Sequence, residues 1–409
     1  MQLPLTQSCW CKNHELVEFS PEYSICHKCE TLVCKDSLTI DNLRIQDNSD
    51  ELYTKDYWLN YQTDVYGYPD IIQRARQDLP ERCLYWLQTL LAYKLPTSRV
   101  LELGCAHGGS VAMARWAGFD AIGLELSPWV VKFAQEVFEI PILLGPLEDQ
   151  SLEPNSLDAI VLYDVLEHLP DPVGTMSHAV SLLKEDGIFI VQTPQFQEGK
   201  TYSEMIGEND DFLKQLKAKE HLYLFSKQSV ARFFENLGFH SLQIEPQLFQ
   251  SDMYFIASRH PVTKNSELAI SGNLLKTPSG RIIQALTDKS AELGQLEIKY
   301  NYSLEKIKYI EEQEQIINSL KSELKQSQNL FQATQTQLQA TQSQLNDSKL
   351  EIEELQMNKL QNLYQQVGSE QNKIDLINQE ILAIKESKLW KLRSLWFKFK
   401  SGLGWVREK

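Results

Sequence analysis

Residues 99–109 read RVLELGCAHGG, a short apolar strand running into a glycine turn. A helical stretch, SVAMARWAG (110–118), follows it. Next come strand DAIGLE (120–125), helix PWVVKFAQEVF (128–138) and strand PILL (141–144). Strand DAIVLYD (158–164), helix TMSHAVSLLKE (175–185) and strand GIFIVQTP (187–194) complete the run. Strands alternating with helices predict parallel βαβ units, and so an α/β fold with a Rossmann-like, doubly wound sheet. Such sheets bind ligands beyond the carboxyl ends of their strands. The segments to weigh are therefore 102–109, 125–127, 145–148, 164–168 and 193–194.

The turn is not the dinucleotide fingerprint G-x-G-x-x-G, since it reads Glu102-x-Gly104-x-x-x-Gly108-Gly109. A dinucleotide site offers backbone N–H groups and a helix N-terminus to a pyrophosphate. Here a carboxylate closes the strand just before the turn. It would repel pyrophosphate and attract a cationic amine. S-adenosylmethionine carries such an amine, a sulfonium charge and no phosphate. Glu125, at the end of the second strand, is placed to accept hydrogen bonds from ribose hydroxyls. That role is shared with nicotinamide sites, so Glu102 is the discriminating residue.

With VLELGCAHGG, GLELSP, LLGPLED, SLDAIVLYDVLEHLPDP, LLKEDGIFIVQTP and EHLYLFS, residues 96–258 resemble the class I S-adenosylmethionine-dependent methyltransferases. The resemblance implies that Glu102 and Gly104 hold the methionine portion, with Cys105, Ala106 and Gly108 in the turn. It implies that Glu125 binds the ribose and that Leu126 lies against the adenine. Pro146 and Leu147 would border the adenine edge, and Asp164 and Val165 would pass beside the sulfonium. Two residues depart from the usual pattern. Ala106 stands where many members have a second glycine, and Pro146 where many have an acid for the adenine amine. Glu148 or Asp149 could supply that acid instead. Methyl transfer to oxygen or carbon also needs a base. His221 in EHLYLFS is the first candidate and His168 the second, with His107 in the glycine turn as a third. Glu220 and Tyr223 could orient the base or bind the acceptor.

Upstream, residues 52–95 are helical and aromatic, with Leu84, Leu87, Leu90 and Leu91 at helical spacing. They predict a helical cap over residues 37–95, although packing alone would explain most of these side chains. Five of the seven cysteines fall within the first 34 residues. Cys26-x-x-Cys29 can aim two thiolates at a tetrahedral zinc, completed by Cys9 and Cys11. His14 is the alternative to one of these, and Cys34 is spare. Residues 1–36 thus read as a zinc-ribbon-like knuckle whose metal is structural, because four protein ligands leave no open position. A knuckle followed by a methyltransferase domain resembles certain nucleotide-sugar methyltransferases. That arrangement implies a sugar, nucleotide-sugar or polysaccharide end as acceptor, methylated on oxygen or carbon. The alternatives are a quinone-like or lipid-like acceptor, and a coiled-coil scaffold without turnover.

Downstream of the methyltransferase domain (96–260), residues 261–285 read as a polar linker. All fifteen prolines lie at or before Pro278, so the remaining chain is free to form one long helix. Apolar residues recur every seventh position at Ile310, Ile317, Leu324, Phe331, Leu338, Leu345 and Ile352, which predicts a coiled coil over 286–384 and a homo-oligomer. Residues 385–409 hold eight basic and two acidic residues around Trp390, Trp396, Phe397 and Trp405. That pattern suits peripheral contact with an anionic membrane. The whole chain is acidic, with 40 basic against 55 acidic residues, which argues against a general nucleic-acid binder. No apolar run is long enough to span a membrane and the N-terminus lacks a signal pattern, so a cytoplasmic protein is expected.

Overall fold

The computed structural model describes residues 8–36, 38–45, 52–348 and 356–384. They divide into two units, residues 1–299 and 300–409. The first unit contains two sheets. The smaller is antiparallel and runs β1 (Leu16–Glu18), β2 (Tyr23–Cys26), β3 (Leu32–Cys34), β9 (Tyr223–Leu224). The larger has seven strands in the order β10 (Ser241–Glu245), β11 (Asp252–Ser258), β8 (Leu183–Pro194), β7 (Leu157–Tyr163), β4 (Arg99–Leu103), β5 (Asp120–Glu125), β6 (Ile142–Leu144). The β7–β8, β4–β7, β4–β5 and β5–β6 pairs are parallel. β11 runs antiparallel to both β8 and β10. This is the doubly wound Rossmann-like sheet expected from the alternation of strands and helices.

Strand order reverses at β4, which has β5 on one side and β7 on the other. The connections after β4 and β7 therefore leave in opposite directions and open a crevice at their carboxyl ends. Local chemistry fixes the helices that flank it. α4 (Gly109–Ala117) leaves the glycine turn and ends on Gly118, whose φ of 103° needs no Cβ. α5 (Pro128–Phe138) starts on Ser127, whose hydroxyl caps Val130, with Pro128 in the first turn where its missing N–H costs nothing. α6 (Pro172–Leu182) repeats this device with Asp171 as the cap. α8 (Lys227–Asn236) carries a Ser226–Ser229 capping box, and its buried Phe233 and Phe234 pack under the sheet.

The cap comprises α1 (Gln62–Tyr66), α2 (Ile71–Gln77) and α3 (Leu84–Tyr93), with π-helical turns at Tyr57–Tyr61 and Leu79–Cys83. Leu84, Leu87, Leu90 and Leu91 are all buried in the core that backs the sheet. The cap touches the sheet through polar groups too. The Trp86 ring stacks on Tyr163 at 4.0 Å, and its Nε1–H donates to Gln192 at 2.9 Å.

Two boundaries differ from expectation. The knuckle is not a free-standing module, because β3 pairs with β9, the EHLYLFS strand some 190 positions later. The stretch read as a linker, 261–285, is folded. α9 (Glu267–Leu274) and the start of α10 (Pro278–Ser348) bury Leu274 and Ile283 in the main core. The Asn265 amide also donates to the Leu91 carbonyl at 3.0 Å. Apolar side chains inside that polar stretch join the main core, which composition does not reveal.

α10 runs from Pro278 to Ser348, and α11 (Gln356–Ile384) belongs to the second unit. At about 1.5 Å per residue, the 71 residues of α10 span roughly 105 Å. Along the heptad seam Ile310 and Phe331 are exposed, while Ile317, Leu324 and Leu338 are half-buried. Leu345 lies in the helix, and Ile352 and the basic tail 385–409 lie outside the described residues. No helix among the described residues is long and apolar enough to cross a membrane. If the seam closes on a second copy, light scattering of the full chain will give a multiple of 47.2 kDa. Ile317→Lys with Leu324→Lys will then return it to a monomer.

Candidate active site and metal knuckle

A cavity of about 560 Å³ occupies the crevice between the carboxyl ends of β4, β5 and β7 and the cap. Of the residues singled out from sequence, Glu102, Gly104, Cys105, Ala106, His107, Glu125, Leu126, Asp164, Val165, His168, Glu220 and His221 line it. Gly108, Pro146 and Leu147 are not among the lining residues. Leu147 is packed in the core. Nor are Glu148 and Asp149 free acids at this edge. Glu148 accepts from the Thr175 hydroxyl, and Asp149 takes both a 2.9 Å and a 2.8 Å bond from the Arg44 guanidinium.

The floor is acidic. Glu102 and Glu125 are each about 4% exposed, and neither has a basic side chain within salt-bridge distance among the described residues. Burial pushes the Glu102 carboxyl up to about 8, against a hydrogen bond from Ser110 and with help from the Glu125 charge. Burial raises Glu125 as well, opposed by the N–H groups of Ser127, Ala106 and Leu126 that bond its two oxygens. These bonds hold the turn against β5. Gly104 has φ +66°, and a Cβ there would meet Val165 Cγ2 at 2.6 Å, so glycine is required twice over. Ala106 adopts φ 44° with the Glu125 bond holding it, and Asp164 φ 58°. The Asp164 side chain accepts from Gln192 Nε2 at 3.0 Å, so Trp86, Gln192 and Asp164 form one chain of contacts from cap to strand end. Two buried carboxylates without a cation, beside a turn that admits no side chain, fit a small cationic ligand.

The opposite wall comes from the EHLYLFS segment. His168 Nδ1 lies 2.8 Å from the Glu220 carbonyl, and His221 Nδ1 lies 2.7 Å from the Gln215 carbonyl. A carbonyl only accepts, so each Nδ1 carries the hydrogen and each Nε2 keeps its lone pair. Burial lowers both histidines below their ordinary range, His221 furthest because the neighbouring His168 and Lys217 add to it. Both are therefore neutral at pH 7. Glu167, fully buried, brings Oε1 to 3.8 Å from His168 Nε2, and that oxygen has no hydrogen-bond partner. Its Oε2 accepts from Thr193 at 2.8 Å. Burial and the charge on Asp164 hold the Glu167 carboxyl well above the usual range. Glu220 accepts from Tyr57 at 3.0 Å and Tyr66 at 2.6 Å, tying the cap to this wall. Tyr223 is half-buried beside Phe225, outside the cavity lining. His107 faces the cap and bonds Asp78 at 3.0 Å. Sequence reasoning missed Glu167, Asp78, Tyr57 and Tyr66. The three cap residues have no motif, but Glu167 could have been found one position before His168 in the strand-end segment.

The four thiols of Cys9, Cys11, Cys26 and Cys29 lie within 4.8 Å of one another. Cys9 Sγ is 3.4 Å from Cys29 Sγ, and Cys11 Sγ 3.6 Å from Cys26 Sγ. His14 is exposed and outside the group, and Cys34 instead donates to the Ala218 carbonyl. Four converging sulfurs from two turns are the donor set of a closed zinc site. The knuckle then reaches the cavity wall directly. Tyr23 Oη donates to the His221 carbonyl at 2.8 Å, and the Cys34 N–H to the Leu222 carbonyl at 2.9 Å. The Leu222 N–H in turn donates to the Glu167 carbonyl at 2.7 Å.

Residues 74–244 match the family model described as "Methyltransferase domain". A ubiquinone biosynthesis O-methyltransferase of Xanthomonas campestris pv. campestris is 36% identical over 106 residues, covering 24% of this chain and 44% of that one. One of Xylella fastidiosa is 33% identical over 106 residues, covering 24% and 43%. The chain thus spans under half the length of the curated relatives it matches. A solved magnesium protoporphyrin IX methyltransferase from Synechocystis with bound SAH is 20% identical, covering 50% of this chain and 97% of that one, with a TM-score of 0.36. The segment that matches the methyltransferase-domain model lies in sequence between a cysteine knuckle and a long helix.

Elemental analysis of the purified chain is expected to give one zinc per chain, lost in Cys26→Ser. Stripping the metal will speed hydrogen exchange at 218–224 while leaving exchange in β4 and β5 unchanged. Equal protection at 218–224 with and without zinc would show that the knuckle does not support this wall.

Proposed function

We propose that the chain methylates a hydroxyl group of a small-molecule acceptor, with S-adenosylmethionine as donor. The pair of buried carboxyl groups at the ends of β4 and β5, with no basic side chain within salt-bridge distance among the described residues, is the observation that carries this reading. S-adenosylmethionine supplies a methyl group activated by a sulfonium sulfur. Glu102 and Gly104 hold its amino-acid end, Cys105, Ala106 and Gly108 shape the turn, and Glu125 binds the ribose with Leu126 against the base. Asp164 and Val165 flank the sulfonium. The residues expected at the adenine edge do not take that place: Pro146 and Leu147 do not line the cavity, and Glu148 and Asp149 are engaged elsewhere.

His221 is the base. Its Nε2 lone pair takes the hydroxyl proton as the acceptor oxygen bonds the methyl carbon and the carbon–sulfur bond breaks. The imidazolium later returns the proton to water. Because burial lowers its pKa, the base is ready at neutral pH, and its fixed Nδ1–H bond to Gln215 keeps the lone pair aimed. His168, 4.8 Å away ring to ring, is a positioning residue or the relay for that proton.

The acceptor is a sugar, a nucleotide-sugar or a polysaccharide end. Tyr53, Tyr57, Trp58 and Tyr68 give the cavity the aromatic faces and hydroxyls that a sugar ring uses, and the knuckle-first arrangement agrees. A quinone-like ring is the second reading, favoured by the names of the similar O-methyltransferases. Release of S-adenosylhomocysteine in a screen of nucleotide-sugars against hydroxylated aromatic acids separates the two. Homo-oligomers would form through the heptad seam.

Donor binding will expel a proton. Below about pH 8 Glu102 is largely protonated in the free protein, and a cation beside it favours the ionised form. Affinity for S-adenosylmethionine will therefore rise from pH 6 towards 8. Calorimetry at pH 6.5 in buffers of different ionisation enthalpy will show the release, which Glu102→Gln abolishes while weakening binding about tenfold or more. A buffer-independent heat would refute the role of Glu102.

His221→Ala will lower kcat by about 10²–10⁴-fold, the range of a lost general base, and leave donor affinity within about twofold. The acidic limb of kcat/KM will lie below pH 6.5, because a lowered pKa keeps the base neutral further into acid. Unchanged turnover in the variant would remove His221 from the mechanism.

A further inference from the structure

The cavity has a basic mouth as well as an acidic floor. Arg74 and Arg82 line it from the cap, and Lys217 from the segment before His221. Both arginines turn their Nε towards one carboxylate: Arg74 Nε is 3.2 Å from Asp78 Oδ2 and Arg82 Nε 3.4 Å from Asp78 Oδ1. The third group on Asp78 is His107, which adds no compensating charge. Its Nδ1 accepts from the Gly109 N–H, so Nε2 carries the hydrogen and donates at 3.0 Å, and burial keeps the ring neutral. One negative charge is thus shared by two guanidinium groups.

Engaging Asp78 through Nε leaves the terminal nitrogens for other partners. One terminal nitrogen of Arg74 donates to Gln62 Oε1 at 3.3 Å. The Arg82 guanidinium lies 4.9 Å over the Phe249 ring, at the cavity rim. Lys217 Nζ sits 4.2 Å from the Tyr66 ring centre and 5.2 Å from that of Tyr68, and no carboxylate among the described residues comes within 4.0 Å of it. Aromatic faces hold both cations in place without neutralising them.

The nearby acids do not cancel this charge. Asp252 feels both Arg82 and Lys217, yet burial and Asp164 push its carboxyl up to about 8, so it is mostly neutral at pH 7. Glu220 keeps its charge while accepting from the Tyr57 and Tyr66 hydroxyls, but Arg74, Arg82 and Lys217 still outnumber the Asp78 and Glu220 carboxylates. Glu81 is exposed to solvent and screened. The mouth therefore keeps an excess of positive charge on the side of the cavity away from the acidic floor.

We propose that this mouth binds an oxyanion on the acceptor, a phosphate or a carboxylate, between Arg82 and Lys217. The inference rests on the methyltransferase reading and narrows its acceptor. The charge division sorts the two substrates, with the cationic donor on the carboxylates and the anionic end of the acceptor on the arginine–lysine pair. The hydroxyl to be methylated then lies between them, beside His221. An acceptor anchored this way is a nucleotide-sugar, through its diphosphate, or a ring acid, through its carboxylate.

The test is calorimetry on the full chain saturated with S-adenosylhomocysteine, at low ionic strength, with inorganic pyrophosphate and benzoate as separate probes. At least one probe is expected to bind in the millimolar range or tighter. Arg82→Gln and Lys217→Gln will each weaken it about tenfold, and salt will weaken it in the parent chain. Both variants must keep parental affinity for S-adenosylhomocysteine, which reports an intact fold. Tighter binding of pyrophosphate points to the diphosphate source and tighter binding of benzoate to the carboxylate. Silence from both probes, or equal affinity in both variants, overturns the site. Anion binding without any heat from S-adenosylhomocysteine would instead sink the methyltransferase reading and leave the anion site standing.

Discussion

A carboxylate buried without a cation is the constraint around which the first unit is arranged. Glu102 and Glu125 sit at the ends of two adjacent parallel strands, out of water and near enough that the Glu125 charge raises Glu102. Removing an ionised carboxyl from water is costly, and the raised pKa of Glu102 is the form that cost takes. The fold maintains it because the sheet leaves no alternative position: residues at strand ends beside the switch point must face the crevice. The backbone donors around Glu125 show how the cost is partly offset, since the same bonds that quiet the charge fix the turn. A ligand bringing positive charge would relieve what remains, so the crevice is electrostatically biased towards cations.

The second constraint is that the acceptor wall is short of its own support. Residues 217–224 make only a two-residue strand, which cannot hold a conformation alone. Three neighbours fix it. β3 of the knuckle pairs with it, Tyr23 and Cys34 bond its backbone, and Tyr57 and Tyr66 of the cap hold Glu220. The ends of the chain segment that precede the sheet therefore meet on the strip that carries His221. A metal at the knuckle would stiffen a segment that also bonds the strip lining the cavity at His221.

What could be read in the sequence follows the range of the interactions. The β4–α4–β5 run, the capping of α5 and the acid at Glu102 are local, and each residue announces its role within ten positions. Cys9, Cys11, Cys26 and Cys29 were legible because metal ligands come as spaced pairs. The β3–β9 pairing was not, since two short strands 190 residues apart leave no periodic trace. Nor was Asp78, whose importance comes from three partners drawn from α2, the π-helical turn after it and the glycine turn. The folded stretch at 261–285 misled for a related reason. Its polar composition describes the solvent side, while Leu274 and Ile283 are buried in the main core.

These same long-range contacts divide the cavity by charge. Acids come from the strand ends, where the sheet dictates position, and cations come from the cap and the segment before His221, where side chains are free to vary. A fold of this kind can keep its donor site constant while changing its acceptor by altering residues such as Arg82 and Lys217 alone. The argument also explains why Asp252 matters. It stands where the two fields meet, drawn towards ionisation by Arg82 and Lys217 and away from it by Asp164 and burial.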